Sequence, residues 1–125
     1  MSEHEFESRE EFKEYLKNAE TDVTIIKFQA DWCNPCKVIA PYVKQELVRI
    51  KGMNPKKTWK LLEVNVDNSL DVYSFLKRLK MVRGIPAILC YVKQSYTEDT
   101  FFVPNHIVIG AKEKEITRMF ETILL

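Results

Sequence analysis

Cysteine is the most reactive side chain in this sequence, and two of its three copies stand close together in the segment Cys33-Asn34-Pro35-Cys36. Two thiols at this spacing can close to a disulfide and reopen, or they can supply part of a metal site. For exchange chemistry the attacking species is the thiolate. A helix N-terminus favours that species through its dipole and its unpaired N–H groups, which would hold the Cys33 thiol below the ordinary value of about 8.5. Pro35 suits the first turn of such a helix and restricts the intervening loop. A closed metal site needs about four ligands. The remaining candidates, Cys90, His4 and His106, are scattered, with no second Cys-x-x-Cys and no ligand-spaced histidine pair. The redox reading therefore leads, and no metal is expected. Cys90 lies within an apolar run and reads as a buried, inert thiol. His4 and His106 fall in segments expected to be exposed and are given no role.

The elements that must position the two thiols follow from periodicity. Ser8 ahead of Arg9-Glu10-Glu11 is an N-cap with an acidic first turn, opening a helix to about Ala19 with Phe12, Tyr15, Leu16 and Ala19 on its apolar face. Val23 to Phe28 has the composition of a strand buried on both faces, interrupted by Lys27. A helix is expected from about Cys33 to Ile50, kinked at Pro41. Trp59 to Val66 reads as a strand and Ser69 to about Lys80 as an amphipathic helix. Pro86 to Val92 and Thr100 to Ile109 read as two further strands, the second broken at Pro104-Asn105. Gly110 turns the chain into a final helix with Ile116, Met119, Phe120 and Ile123 inward. The order α-β-α-β-α-β-β-α predicts an α/β three-layer sandwich with a mixed central sheet.

Composition limits what such a domain can do. The chain has 125 residues, 46% of them apolar, enough for one self-sufficient core, and 1–125 is expected to form a single domain. Its 19 basic and 18 acidic side chains give no overall field to attract nucleic acid or an anionic membrane. No apolar stretch reaches membrane-spanning length, and the acidic, polar N-terminus resembles no signal or transit peptide. An odd, small cysteine count does not suit a secreted disulfide framework. A reducing, cytoplasmic setting is expected, with no membrane and no nucleic-acid partner. The cations Lys77, Arg78, Lys80 and Arg83 read first as a solvated helix face and second as a docking patch for an acidic partner.

Taken in order, these motifs resemble the thioredoxin family. Phe28-Gln29-Ala30-Asp31-Trp32-Cys33-Asn34-Pro35-Cys36-Lys37 is similar to its active-site segment, Pro41 to its kinking proline, Gly84-Ile85-Pro86 to its cis-proline loop, and Ile109-Gly110-Ala111 to the turn into its last helix. The resemblance runs from about Ser8 onward. It implies the thioredoxin fold and a thiol–disulfide oxidoreductase, with Cys33 as attacking nucleophile and Cys36 as the deeper, resolving thiol. It implies that Trp32, Ile85, Pro86 and Gly110 line the groove that holds the substrate chain, and that Ile85–Pro86 is cis. It further implies protein disulfides as substrates and a reductase or dithiol donor as electron source. Electron transport and cell redox homeostasis would be the setting, in a monomer without cofactor.

The sequence also departs from that pattern. Asn34 replaces the usual glycine, Gln29 a common aromatic residue, and the hairpin from about Lys93 to Asn105 is long. Lys27 stands where the family has a buried acid, and Glu63 where a lysine normally partners it. A charge-reversed, pKa-tuning pair beneath Cys36 is expected, against a simpler reading in which Lys27 reaches water and Glu63 is an ordinary surface charge. The departures leave a second functional reading, a protein-interaction module of the same fold with little or no redox turnover. Oxidase or isomerase work is a weaker third.

Overall fold

A computed structural model of the protein describes residues 2–125. Seven consecutive residues, five of them β-branched or aromatic, form β2 (Val23–Gln29), buried along its length as far as Phe28. Its neighbours are β3 (Trp59–Asn65), parallel, and β4 (Ala87–Val92), antiparallel. β5 (His106–Ile109) extends the sheet antiparallel to β4, and a two-residue β1 (Ser2–Glu3) lies parallel to β3 at the opposite edge. The sheet order is β1-β3-β2-β4-β5, a mixed sheet.

Four helices cover its two faces. α1 (Arg9–Lys17) begins where Ser8 Oγ accepts the Glu11 N–H at 3.1 Å, the cap expected from its sequence. α1 and α3 (Leu70–Arg78) contact one another and close a core containing Phe12, Leu16, Ile26, Phe28, Leu62, Val72 and Leu76. α2 (Asn34–Met53) and α4 (Glu113–Leu124) pack together over the other core, with Ile25, Ile39, Val43, Leu47, Ile88, Ile116 and Phe120. The alternation of β2, even residues to one core and odd to the other, places Lys27 on the α2 face with Ile25. Each large apolar side chain so buried contributes about 1.5–3 kcal/mol.

Several expectations are corrected. β1 was not anticipated, since two residues carry no periodicity. The run Thr100 to Ile109 is strand only from His106. Ahead of it, residues 93–105 form a short 3-10 turn and a loop, the long connection of the antiparallel β4–β5 hairpin. Asn105 ties that loop back: its Oδ1 accepts the Val92 N–H at 2.8 Å and its Nδ2 donates to Ser95 Oγ at 2.9 Å. Phe101 and Phe102 turn inward against Phe75 of α3, and Phe101 also meets Phe12 of α1. Helix α2 runs unbroken through Pro41 and Gly52 to Met53, beyond the Ile50 expected for its end. α3 ends at Arg78, before Lys80, which adopts a left-handed conformation with φ of 65°.

Candidate functional site

The register gathers the site at one end of the sheet. Phe28 near the end of β2 pairs with Ala87 at the start of β4, which pairs with Ile109 at the end of β5. Residues just beyond those positions must converge: Cys33 past β2, Pro86 ahead of β4, Gly110 past β5. Cys33 is the N-cap of α2, and its Sγ accepts the Cys36 N–H at 3.3 Å. The two cysteines are joined in a disulfide, their Cα atoms 5.3 Å apart. Pro35 occupies the first turn of the helix without costing a hydrogen bond.

The expected division into an exposed attacking thiol and a shielded one is absent from the closed disulfide. Cys33 is 4% and Cys36 3% exposed, both packed in the α1/α3 core cluster. Trp32 lies outside, 67% exposed, its indole N–H donating to Asp67 Oδ2 at 2.9 Å. Ile85 packs against the cluster that holds the cysteines. The Ile85–Pro86 bond is cis, as the resemblance implied. Pro86 is buried, and its carbonyl accepts the Gly110 N–H at 2.8 Å. Gly110 has φ of 96°, a conformation that side-chain-bearing residues rarely adopt.

Lys27 and Glu63 are register partners on adjacent parallel strands. Lys27 is 1% exposed, and its ammonium lies 3.9 Å from Glu63 Oε2. The simpler reading, in which Lys27 reaches water, is therefore wrong. Its nearer partner was missed: Gln29 Oε1 accepts from Lys27 Nζ at 2.8 Å. The signal was available, because residues two apart on a strand share a face. Burial lowers the Lys27 pKa; Glu63 pulls it back up, and Lys44 on α2 pushes it further down. Asp67, which fixes Trp32, was likewise not anticipated.

Cys90 is fully buried in β4, and burial pushes its thiol up to about 12. Contrary to expectation both histidines are partly buried. The His4 ring lies against Phe6 and Tyr15, which lowers its pKa by desolvation, and His106 sits within β5. Among the described residues no His, Cys, Asp and Glu side chains cluster as a metal site would require. Lys77, Arg78, Lys80 and Arg83 are all exposed.

Comparison with known proteins places this arrangement. The sequence model of the thioredoxin family matches residues 3–116. Thioredoxin 1 of Chlorobaculum tepidum is 40% identical over 67 residues, covering 54% of this chain and 57% of its own. A thioredoxin of Buchnera aphidicola subsp. Baizongia pistaciae is 32% identical over 85 residues, covering 64% of each chain. The chain thus spans between about half and two thirds of the length of these curated relatives. Among solved structures, a thioredoxin from Plasmodium falciparum superposes with a TM-score of 0.65 at 20% identity over 98% of both chains. One from Malassezia sympodialis gives 0.66 at 18% identity, covering 100% of this chain and 96% of its own. At that identity the structures speak for the fold alone. A family match across nearly the whole chain, an α/β sheet of the same shape and a disulfide capping the helix after β2 have one reading: the chain belongs to the thioredoxin family.

Proposed function

We propose that this protein is a thiol–disulfide oxidoreductase that reduces or exchanges protein disulfides through Cys33 and Cys36. The observation that carries the reading is a disulfide whose first cysteine caps a helix N-terminus, directly beside an exposed tryptophan and the Pro86–Gly110 contact. In the reduced protein the Cys33 thiolate attacks a substrate disulfide, forming a mixed disulfide and releasing one substrate thiolate. The Cys36 thiolate then attacks the Cys33 sulfur, releases the second substrate thiol and closes the Cys33–Cys36 disulfide. Two electrons pass to the substrate, and a reductase or another dithiol protein returns them. Trp32, Ile85, Pro86 and Gly110 border the site and hold the substrate chain. Lys27 favours the Cys36 thiolate by its charge, and Glu63 accepts the proton that Cys36 gives up. This domain works as a monomer in a reducing, cytoplasmic setting, as part of an electron-transfer chain.

Turnover tests the reading. With dithiothreitol as reductant, the wild type should accelerate reduction of insulin disulfides, and Cys33→Ser should abolish the acceleration. A wild type no faster than dithiothreitol alone would favour the interaction module instead, a reading kept by the reversed Lys27–Glu63 pair and the long loop over residues 93–105.

A further inference from the structure

The charges nearest the strand ends around the disulfide are sorted by sign across the sheet, while exposed Lys37 after Cys36 and exposed Glu113 after Lys112, both carried on helices, stand outside that order. β1, β3, β2 and β5 all end at the site, while antiparallel β4 begins there. Following the strand order from the β1 edge, the chain just beyond each strand carries Glu5, then Asp67, then Asp31, all exposed. Glu5 and Asp31 line one polar cleft of about 110 Å³ together with Asn65 and Asn68. Past β2 the sign changes. The loop entering β4 carries exposed Arg83, and the turn leaving β5 carries exposed Lys112. The Lys112 stem lies over Gly110, its Cε 3.7 Å from where a Cβ on that glycine would stand. Its ammonium meets only Glu115, at 3.7 Å with both side chains exposed, and Arg83 forms no ion pair among the described residues. The boundary between the acidic and basic halves is the end of β2, where Trp32 and Cys33 stand.

We infer that this face selects its partners by charge order. The occupant is an extended segment of a partner protein whose disulfide cysteine is flanked by acidic residues on one side and basic residues on the other. Its acidic arm crosses Arg83 and Lys112, and its basic arm crosses Asp31 and Glu5. Asp67, already engaged by the Trp32 indole, adds its charge to the acidic half. The inference rests on the oxidoreductase reading and adds the substrate class. Exposed charges contribute little binding energy singly, so the selection acts mainly on the rate of encounter and on the docking direction, both sensitive to salt. The reaction is the one described above: the reduced dithiol becomes the Cys33–Cys36 disulfide, and the partner's disulfide becomes two thiols.

Three disulfide-linked peptide dimers test it, each reduced by stoichiometric, pre-reduced protein and followed by chromatography. One peptide carries two glutamates before its cysteine and two arginines after, the second has the reverse order, and the third has serines throughout. The inference includes a single docking direction for the main chain, so one charged order should be reduced about tenfold faster than the serine peptide at low salt, and the other no faster. The preference should vanish at about 1 M salt, where the screening length is about 3 Å. The double variant Arg83→Glu, Asp31→Arg exchanges the two signs at exposed positions. With each rate divided by that variant's own rate on the serine peptide, it should prefer the opposite order. Equal reduction of the two charged peptides, a preference that survives salt, or an unmoved preference in the double variant overturns the inference. Failure of the wild type to reduce even the serine peptide withdraws the oxidoreductase reading itself, an outcome distinct from equal but appreciable rates.

Discussion

At the scale of single residues the buried Lys27 is the feature that most separates this protein from its family's pattern. An ammonium 1% exposed is held by the Gln29 amide oxygen and, more loosely, by Glu63. Replacing a buried ion by an apolar side chain of similar volume is commonly neutral or stabilising, whereas leaving a buried charge opposed is costly. Lys27→Met should therefore hold or raise stability by about 1 kcal/mol, and Lys27→Asp, which sets two carboxylates together, should lower it by about 3 kcal/mol. The pH dependence has a definite sign. Burial holds the folded pKa of Lys27 below the unfolded value of about 10.4, so the unfolded chain keeps its proton in the interval between them. Stability from this group is lowest below the folded pKa, rises with pH through that interval and is fully regained above it. Urea titrations of wild type and Lys27→Met between neutral and alkaline pH should converge as pH rises. Parallel curves would show that the lysine pays no such cost. Glu63→Gln should slow release of a trapped mixed disulfide while leaving the first attack by Cys33 nearly unchanged. Stopped-flow measurement of the two steps separates them, and unchanged resolution would remove Glu63 from the proton path.

At the scale of elements, strands and helices with a clear period were legible and their ends were not. β2 was readable because five of its seven residues are buried and β-branched or aromatic, with buried Lys27 as the exception that later proved informative. The end of α3 was misplaced because its closing turn uses an unexpected residue. The Met81 N–H donates to the Leu76 carbonyl at 2.8 Å and the Lys80 N–H to that of Lys77 at 3.0 Å, a left-handed cap that usually takes glycine. Lys80→Gly should relieve the strain of its positive φ and stabilise the protein by about 1 kcal/mol, seen as a higher urea midpoint at unchanged slope. Within the long β4–β5 connection, residues 100–105 were misread as strand because Phe101 and Phe102 look like strand residues, yet they serve as cover for α1 and α3. Asn105 fixes the register of that loop by bonding the Val92 N–H and Ser95. Asn105→Ala should cost about 1–2 kcal/mol by calorimetric or urea unfolding. A smaller loss would show that the aromatic packing alone holds the loop.

At the scale of the whole molecule, two cores on opposite faces of one sheet hold the disulfide, Pro86 and Gly110 in register at a single end. Sequence reading found the cysteines, the tryptophan and the proline because each is a distinctive residue at a distinctive spacing. It missed what only the assembled sheet creates: the β1 edge, the Gln29 bond to Lys27, the Asp67 bond to Trp32, and the burial of both sulfurs together. That last point leaves the order of attack as the central claim to measure. The direct measurement is trapping by single-cysteine variants, with the linked cysteine identified by peptide mass mapping. Cys36→Ser, incubated with a disulfide-containing protein, should accumulate a mixed disulfide through Cys33, because the second thiolate that would release it is gone. Cys33→Ser should accumulate almost none. Equal trapping by the two variants, or a preference for Cys36, would contradict the assignment of Cys33 as the attacking and Cys36 as the resolving thiol.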